Sequence, residues 1–448
     1  MIKNTQLPFT KSQIENIASK FPTPFYIYDE EAIRKNARNL NQAFGEAGVT
    51  GFKNYFAVKA LPNPKILEIL AEEGMGFDCS SIAELVLSQA VLDKDLSLLQ
   101  SYTPSPLDQT KKFNPHYFED GLAKIIFTSN NTPALEYAFN SKIGGILNFD
   151  DITHIDFYQK YVGALPQLVS LRLNPGTDLS SGKDNVIGKP EEAKFGLTTA
   201  QLFEAYEILK HKGVQKFGLH TMVVSNELKT ETLLATVDFL FKIASEIQAK
   251  LGIKFEFINL GGGIGVNYMP EQSAVSYQEY AQGIAGLYQK YGLKDTSIMM
   301  ENGRRITGPY GYLVTKVIHQ KHTHKEFVGV DATMANLMRP GMYNAYHHIT
   351  VLGKENQQQK QSYDVVGSLC ENNDKFAIDR DLPVVEIGDY LAIHEGGAHS
   401  HAMGFNYNGK LRSSELLLKP SGEVELIRRK ETLQDYFKTL WGLKEAME

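Results

Sequence analysis

The sequence predicts an α/β protein: a (β/α)8 TIM-type barrel joined to a discontinuous, mainly antiparallel β-domain. Three observations carry that expectation. Between residues 52 and 301, short apolar runs alternate with segments of helical periodicity, the pattern of a parallel sheet with crossover helices. That stretch has the length of a closed eight-stranded barrel, about 250 residues. Past residue 305 the texture changes to short alternating strands separated by Asn- and Gly-containing turns.

The elements follow in chain order. Residues 24–29, Pro-Phe-Tyr-Ile-Tyr-Asp, form a short aromatic and β-branched run, read as a strand that joins the second domain. Strand candidates then fall at 52–59, 76–79, 96–101, 123–128, 144–148, 167–173, 215–220, 255–260 and 297–301. Helical patterns at 64–73, 82–91, 201–212 and 228–251 separate several of them. Nine candidates for eight places mean that one is misread or lies outside the barrel. The polar stretch 176–193 reads as a loop and a candidate active-site cover. Strands are then expected at 312–319, 326–330, 363–366, 384–387 and 390–394, with a helix near 432–440. The expected division is 1–30 with 305–448 for the β-domain and 31–304 for the barrel.

Charged residues at 22% and hydrophobic ones at 42% describe an ordinary globular chain, and 448 residues suffice for two cores. A net charge of −6 offers nucleic acid or an anionic membrane no basic surface, which leaves a small molecule as the expected partner. No apolar run is long enough to cross a bilayer, and the first residues lack a signal-peptide core. Cys79 and Cys370 stand far apart, outside any metal or redox pair, so reduced thiols in the cytoplasm are expected. His319, His322 and His324 read as an exposed hairpin and no metal is expected, while His347-His348 reads as a solvent or dimer contact.

In barrels of this kind the reactive residues close the strands at their C-terminal ends. The predicted strands end in Lys59, in Asp78, in Arg172, and in His220 with Met222 and Ser225 just beyond. The last two run into Gly261-Gly262-Gly263 and into Glu301, with Arg304 three residues on. Alone, each has a bland reading: a surface lysine, a tight strand exit, a structural ion pair. A lysine at a desolvated barrel mouth is expected to have a lowered pKa, suited to Schiff-base chemistry. The glycines fail the dinucleotide spacing at Val266, yet their backbone amides suit a phosphate. The combination at matching strand ends is hard to explain by packing.

Several segments carry a resemblance that spans nearly the whole chain: Tyr55-Phe56-Ala57-Val58-Lys59-Ala60, Leu171-Arg172-Leu173-Asn174-Pro175-Gly176, Lys194-Phe195-Gly196, Gly261-Gly262-Gly263, Glu301-Asn302-Gly303-Arg304, Met338-Arg339-Pro340 with Tyr343, Cys370-Glu371 and Asn406-Tyr407-Asn408. In these the chain resembles the alanine-racemase-like barrel, fold type III, family of pyridoxal-phosphate-dependent decarboxylases, and most of all its diaminopimelate branch. The resemblance implies pyridoxal 5'-phosphate as cofactor, anchored on Lys59. It places Glu301 at the ring nitrogen, which favours decarboxylation, and Gly261, Gly262, Gly263 and Ser225 at the phosphate. Asp78, Arg172, His220, Met222 and His399 would complete the cofactor site. Arg304, Arg339, Tyr343 and Glu371 would hold the far end of the substrate. Cys370 would donate the proton that replaces carbon dioxide, entering from the second subunit of a homodimer.

The reaction so implied is decarboxylation of meso-2,6-diaminopimelate to L-lysine. The alternatives are another amino-acid substrate (ornithine, arginine, a D-amino acid or a carboxylated polyamine) and a non-catalytic binding homologue. The chain departs from the family pattern in two places. Where the family has His-x-His-Ile-Gly-Ser-Gln, this sequence has Met222 at the ring-stacking position and Val224 for the glycine, with His220 two residues back as a partial substitute. Where the family has Gly-Ala-Tyr, it has Gly397-Ala398-His399. Asn302 also replaces a proline.

Overall fold

A computed structural model of the chain describes residues 5–49, 51–101, 112–176, 192–293 and 295–440. Most of the expected cover at 176–193 lies outside them. The chain divides into two compact units, one of residues 1–33, 267–273 and 307–448, the other of 34–266 and 274–306.

In the first unit, β1 (Phe25–Asp29) is a buried strand. The second unit is a closed barrel of eight parallel strands: β2 (Lys53–Ala57), β3 (Gly76–Cys79), β4 (Ile125–Ser129), β5 (Ile146–Phe149), β6 (Leu168–Leu173), β7 (Lys216–Thr221), β8 (Phe255–Asn259) and β9 (Ser297–Met300). Pairing of Lys53 with Met299 closes the ring. Tyr55, Ile126, Phe257 and Met299 fill part of its interior with no exposed surface. The crossover helices start and stop where local chemistry dictates. Asn63 caps the helix Pro64–Glu72, whose Ile66, Leu67, Ile69 and Leu70 are buried. A Thr198–Gln201 capping box opens Thr199–His211, and left-handed Gly144 and Gly252 close Ala134–Ile143 and Thr230–Leu251.

The surplus strand candidate, 96–101, is helical instead: Leu98–Ser101 forms a single turn. Asp95 accepts bonds from the Ser97 amide (3.1 Å) and hydroxyl (2.6 Å), a local cap that outcompetes extension of an apolar but short run.

The remaining strands of the first unit are β10 (Gly311–His322), β11 (Glu326–Val330), β12 (Ile349–Val351), β13 (Lys360–Val366), β14 (Lys375–Pro383), β15 (Tyr390–Ile393), β16 (Ser414–Leu418) and β17 (Val424–Arg428). They form one sheet in the order β14-β13-β11-β10-β1-β16-β17, with β15 on β10 and β12 on β15. β1 lies inside it, antiparallel to β10 and parallel to β16. Phe25, Ile27, Val314 and Leu416 make the apolar core on one side. Tyr28 donates to buried Glu415 at 2.6 Å, and Arg428 pairs with the same carboxylate. Two expectations fail here. Residues 384–387 are a connection after β14, with Ile387 63% exposed, and the strand lies earlier. His347 is fully buried rather than solvated, because its Nδ1 bonds the His394 carbonyl at 2.8 Å. Among the described residues no helix is long and apolar enough to cross a membrane.

Candidate active site

The strand-end residues of the barrel meet as a connected set. Lys59 sits on a 3-10 turn (Val58–Ala60) that ends β2, its Nζ 3.7 Å from Asp78 Oδ2 at the end of β3. Over half of the Lys59 side chain, 56%, is accessible, whereas that of Asp78 is 4% exposed. The Asp78 carboxylate holds the Lys59 ammonium above its ordinary value against the effect of burial, and Glu301 adds to the rise. The lowered lysine pKa expected from the apolar strand is therefore not found: the barrel supplies carboxylates that the local sequence does not reveal.

Glu301 follows β9 and is 8% exposed. Its Oε1 accepts from Asn259 at 2.7 Å and its Oε2 lies 3.2 Å from His220 Nε2. Burial alone would raise its carboxyl, but His220, Lys59 and Asn259 outweigh that and bring it down to about 2. Burial and the neighbouring Glu301 push Asp78 the other way, well above the usual carboxylate range, although Lys59 opposes the rise. These shifts divide the work. Glu301, with two hydrogen bonds, is the fixed anion. Asp78 Oδ2 stands 3.7 Å from Lys59 Nζ, beyond hydrogen-bond length, and is the less constrained of the two carboxylates.

The glycines lie against the same residues. Gly261 has φ of 68°, and an added Cβ would stand 2.3 Å from the Thr221 carbonyl oxygen. At Gly262 it would meet the Glu301 carbonyl oxygen at 2.7 Å, and at Gly263 that of Val224 at 2.6 Å. Side chains would fill this cradle. Met222 reaches it too: its sulfur accepts from the Gly262 amide at 3.2 Å. Ser225 Oγ accepts from Arg304 at 3.5 Å.

Arg172 ties loops together. It donates to Asp150 (2.9 Å) and to the Met222 carbonyl (3.3 Å), and its guanidinium lies 4.6 Å from the Phe195 ring centre. His220 is held on both nitrogens, by Glu301 and by Asn148, whose amide is 3.2 Å from Nδ1. That fixes it to the carboxylate and removes it as a substitute ring cover. Sequence reading missed Asn148, Asp150 and Asn259. The available signal was a polar residue closing the apolar strands β5 and β8, the rule that found Lys59 and Glu301.

The other unit gathers the rest. Arg339 is 7% exposed, opens the turn Arg339–Tyr343, and lies 5.0 Å from the Tyr268 ring centre. The loop of Cys370 and Glu371 docks beside that turn. Asp374 accepts from Leu369 (2.7 Å) and Met334 (2.5 Å), and a Cβ on Gly341 would meet the Asn373 carbonyl oxygen at 2.3 Å. Cys370 and Tyr343 are exposed. His399 stands at a strained φ of 53°, after Gly396 and Gly397, which bond the Gly311 (2.7 Å) and Gly308 (3.1 Å) carbonyls.

A barrel mouth so equipped is that of a pyridoxal-phosphate enzyme of fold type III, and the chemistry of its class is amino-acid decarboxylation. A family model described as pyridoxal-dependent decarboxylase, C-terminal sheet domain, matches residues 25–397, and the chain belongs to that family. It is 39% identical to the protein TabA of Pseudomonas amygdali pv. tabaci, over 94% of this chain and 92% of that one. It is 32% identical to the diaminopimelate decarboxylase of Methanothermobacter thermautotrophicus, with the same coverage. The crystal structure of diaminopimelate decarboxylase from M. jannaschii in complex with L-lysine superposes with a TM-score of 0.83 at 28% identity, over 98% of this chain and 99% of that one.

The residues present fit the family's cofactor. The glycines, which admit no Cβ, would leave room for its phosphate, Glu301 would supply an anion for its ring nitrogen, and the accessible Lys59 amine would be the group to hold it. Pyridoxal phosphate, when bound, supplies the electron sink for the bond to the departing carboxylate. The chain does the rest. Asp78 Oδ2, 3.7 Å from Lys59 Nζ, would take the proton that Lys59 must shed to act as a nucleophile, and Glu301 would keep a negative charge at one place in a buried site.

Proposed function

We propose that the chain decarboxylates meso-2,6-diaminopimelate to L-lysine, as a cytoplasmic homodimer whose active sites lie at the subunit interface. One observation carries the substrate reading: Arg339, Tyr343, Cys370 and Glu371 are grouped on neighbouring, mutually docked segments. Together with Arg304 on the barrel, two guanidiniums and a carboxylate answer a carboxylate and an ammonium at the far end of a substrate. A plain ornithine or lysine side chain ends in an amine and leaves the arginines without a counterpart. Names of relatives and the L-lysine complex support the same reading. In it, Lys59, Asp78, Arg172, Met222, Ser225, the three glycines, Glu301 and His399 serve the cofactor, and Cys370 is the proton donor.

A second reading, a related amino acid as substrate, is favoured by the 39% identity to TabA and by Met222 and His399 at positions where the family has His and Tyr. The test incubates purified protein and pyridoxal phosphate with diaminopimelate, ornithine, arginine, D-amino acids and carboxylated polyamines, and measures carbon dioxide and product. Lysine formed from diaminopimelate is the expected result; activity confined to another substrate overturns it. For the shared site, mixing inactive Lys59→Ala and Cys370→Ala subunits should restore about a quarter of the activity, since only mixed dimers then hold one intact site.

A further inference from the structure

Glu301 owes its place to a residue two strands away. We propose that His220 is a positioning residue: Asn148 fixes the imidazole proton on Nε2, and through that proton His220 holds the Glu301 carboxylate in place. The inference rests on the reading that Glu301 serves the cofactor.

The hydrogen-bond chain can be followed atom by atom. Asn148 Nδ2 lies 3.2 Å from Thr128 Oγ1 and 3.2 Å from His220 Nδ1, two acceptor positions for its two N–H bonds. Asn148 Oδ1 is buried with no hydrogen-bond partner among the described residues. Turning the amide over would put the oxygen between Thr128 and His220 but would strand both N–H bonds in that dry position. Orphaned buried donors are rarer and costlier than under-satisfied carbonyls, so the amide donates. His220 Nδ1 is then the lone-pair nitrogen, and the ring proton sits on Nε2, aimed at Glu301 Oε2 at 3.2 Å.

On the other carboxylate oxygen Asn259 Nδ2 donates at 2.7 Å. Asn259 Oδ1 accepts from the Gly261 amide at 2.9 Å, and the Glu301 amide donates to the Gly261 carbonyl at 2.8 Å. One chain of bonds thus links β4, β5 and β7 to the carboxylate and returns to the glycine cradle after β8. A carboxyl proton on Glu301 would meet an N–H donor on either oxygen. The clamp therefore disfavours protonation as well as rotation, and it spaces the anion for the ring from the cradle for the phosphate.

The test labels histidine with nitrogen-15 in the full chain and records both ring nitrogens at neutral pH, with and without pyridoxal phosphate, the His220 signals being those lost in His220→Gln. The expected result is a neutral Nε2–H tautomer that shifts toward Nδ1–H in Asn148→Ala. His220→Gln, which keeps a donor for Glu301, should retain the long-wavelength cofactor band and kcat within about threefold, whereas His220→Leu should lose about 10–100-fold in kcat with KM little changed. A doubly protonated or Nδ1–H ring in the unsubstituted protein overturns the proposal, as does a His220→Leu protein with normal spectrum and turnover. The tautomer is read without substrate, so inert behaviour toward diaminopimelate would refute the substrate reading and leave this one standing.

Discussion

Replacing Glu301 with glutamine probes the site at its most constrained point. The side chain keeps its shape and loses its charge. The hydrogen bonds from His220 and Asn259 and the charge of Lys59 hold the Glu301 carboxyl below its ordinary value, which favours the ionised form. A glutamine also brings an NH2 group that must face either His220 Nε2 or Asn259 Nδ2, so one bond turns into a donor–donor contact. With Glu301 at the cofactor's ring nitrogen, as proposed, that nitrogen would lose its anion, and a fall in kcat of about 10²–10³ is expected, the cost of removing one preorganised electrostatic partner. Stability carries a second signature. Because the folded pKa lies below the unfolded one, the stabilisation from Glu301 is complete above about pH 4.5 and is lost as pH falls toward 2. The gap in urea midpoint between the two proteins should therefore narrow below pH 4.5. Carbon dioxide release at saturating substrate and urea titrations at several pH values measure both effects. Turnover within about threefold of the unsubstituted enzyme, with a gap unchanged by pH, would refute the reasoning.

Further outcomes follow from single contacts. Gly262→Ala places a Cβ 2.7 Å from the Glu301 carbonyl oxygen, so a stability loss of about 1–3 kcal/mol and weaker cofactor binding are expected, read by urea midpoint and absorbance titration. Cys370→Ser, at an exposed position, should change stability by less than about 0.5 kcal/mol while kcat drops about 10²-fold or more if the thiol is the proton donor. Glu415→Gln removes the charged partner of Arg428, whose side chain keeps partial access to solvent, and should cost about 1–3 kcal/mol at pH 7. Burial would raise the Glu415 carboxyl, but His401, Arg428 and Tyr28 lower it on balance. Its contribution is therefore lost as pH falls below the unfolded value, and thermal unfolding should show a smaller penalty in acid.

The barrel was legible because its strands are apolar runs that end in polar residues, and the same rule picked out Lys59, Asp78, Arg172, His220 and Glu301. What escaped was set by partners distant in sequence. Nothing near Lys59 announces Asp78, so a lowered pKa was the natural expectation and a raised one is found. The run 96–101 is apolar enough for a strand, but Asp95 caps it into a helical turn. β14 was overlooked because Asp379-Arg380-Asp381 interrupts its apolar residues. Those charges find partners: Lys325 pairs with Asp379, and Arg380 lies over the Tyr346 ring. His347 looks like a surface residue until the His394 carbonyl, just past the end of β15, the strand partner of β12, is seen beside it.

The pairing of β1 sets a timetable for synthesis. Phe25 is made hundreds of residues ahead of its register partners Val314 and Ser414. A ribosome would complete all eight barrel strands before either neighbour of this apolar strand exists. Throughout that interval Phe25, Tyr26 and Ile27 are a sticky segment awaiting two docking edges. Slow long-range pairing of this kind is the step that chaperones, or a lowered growth temperature, would be expected to help during expression.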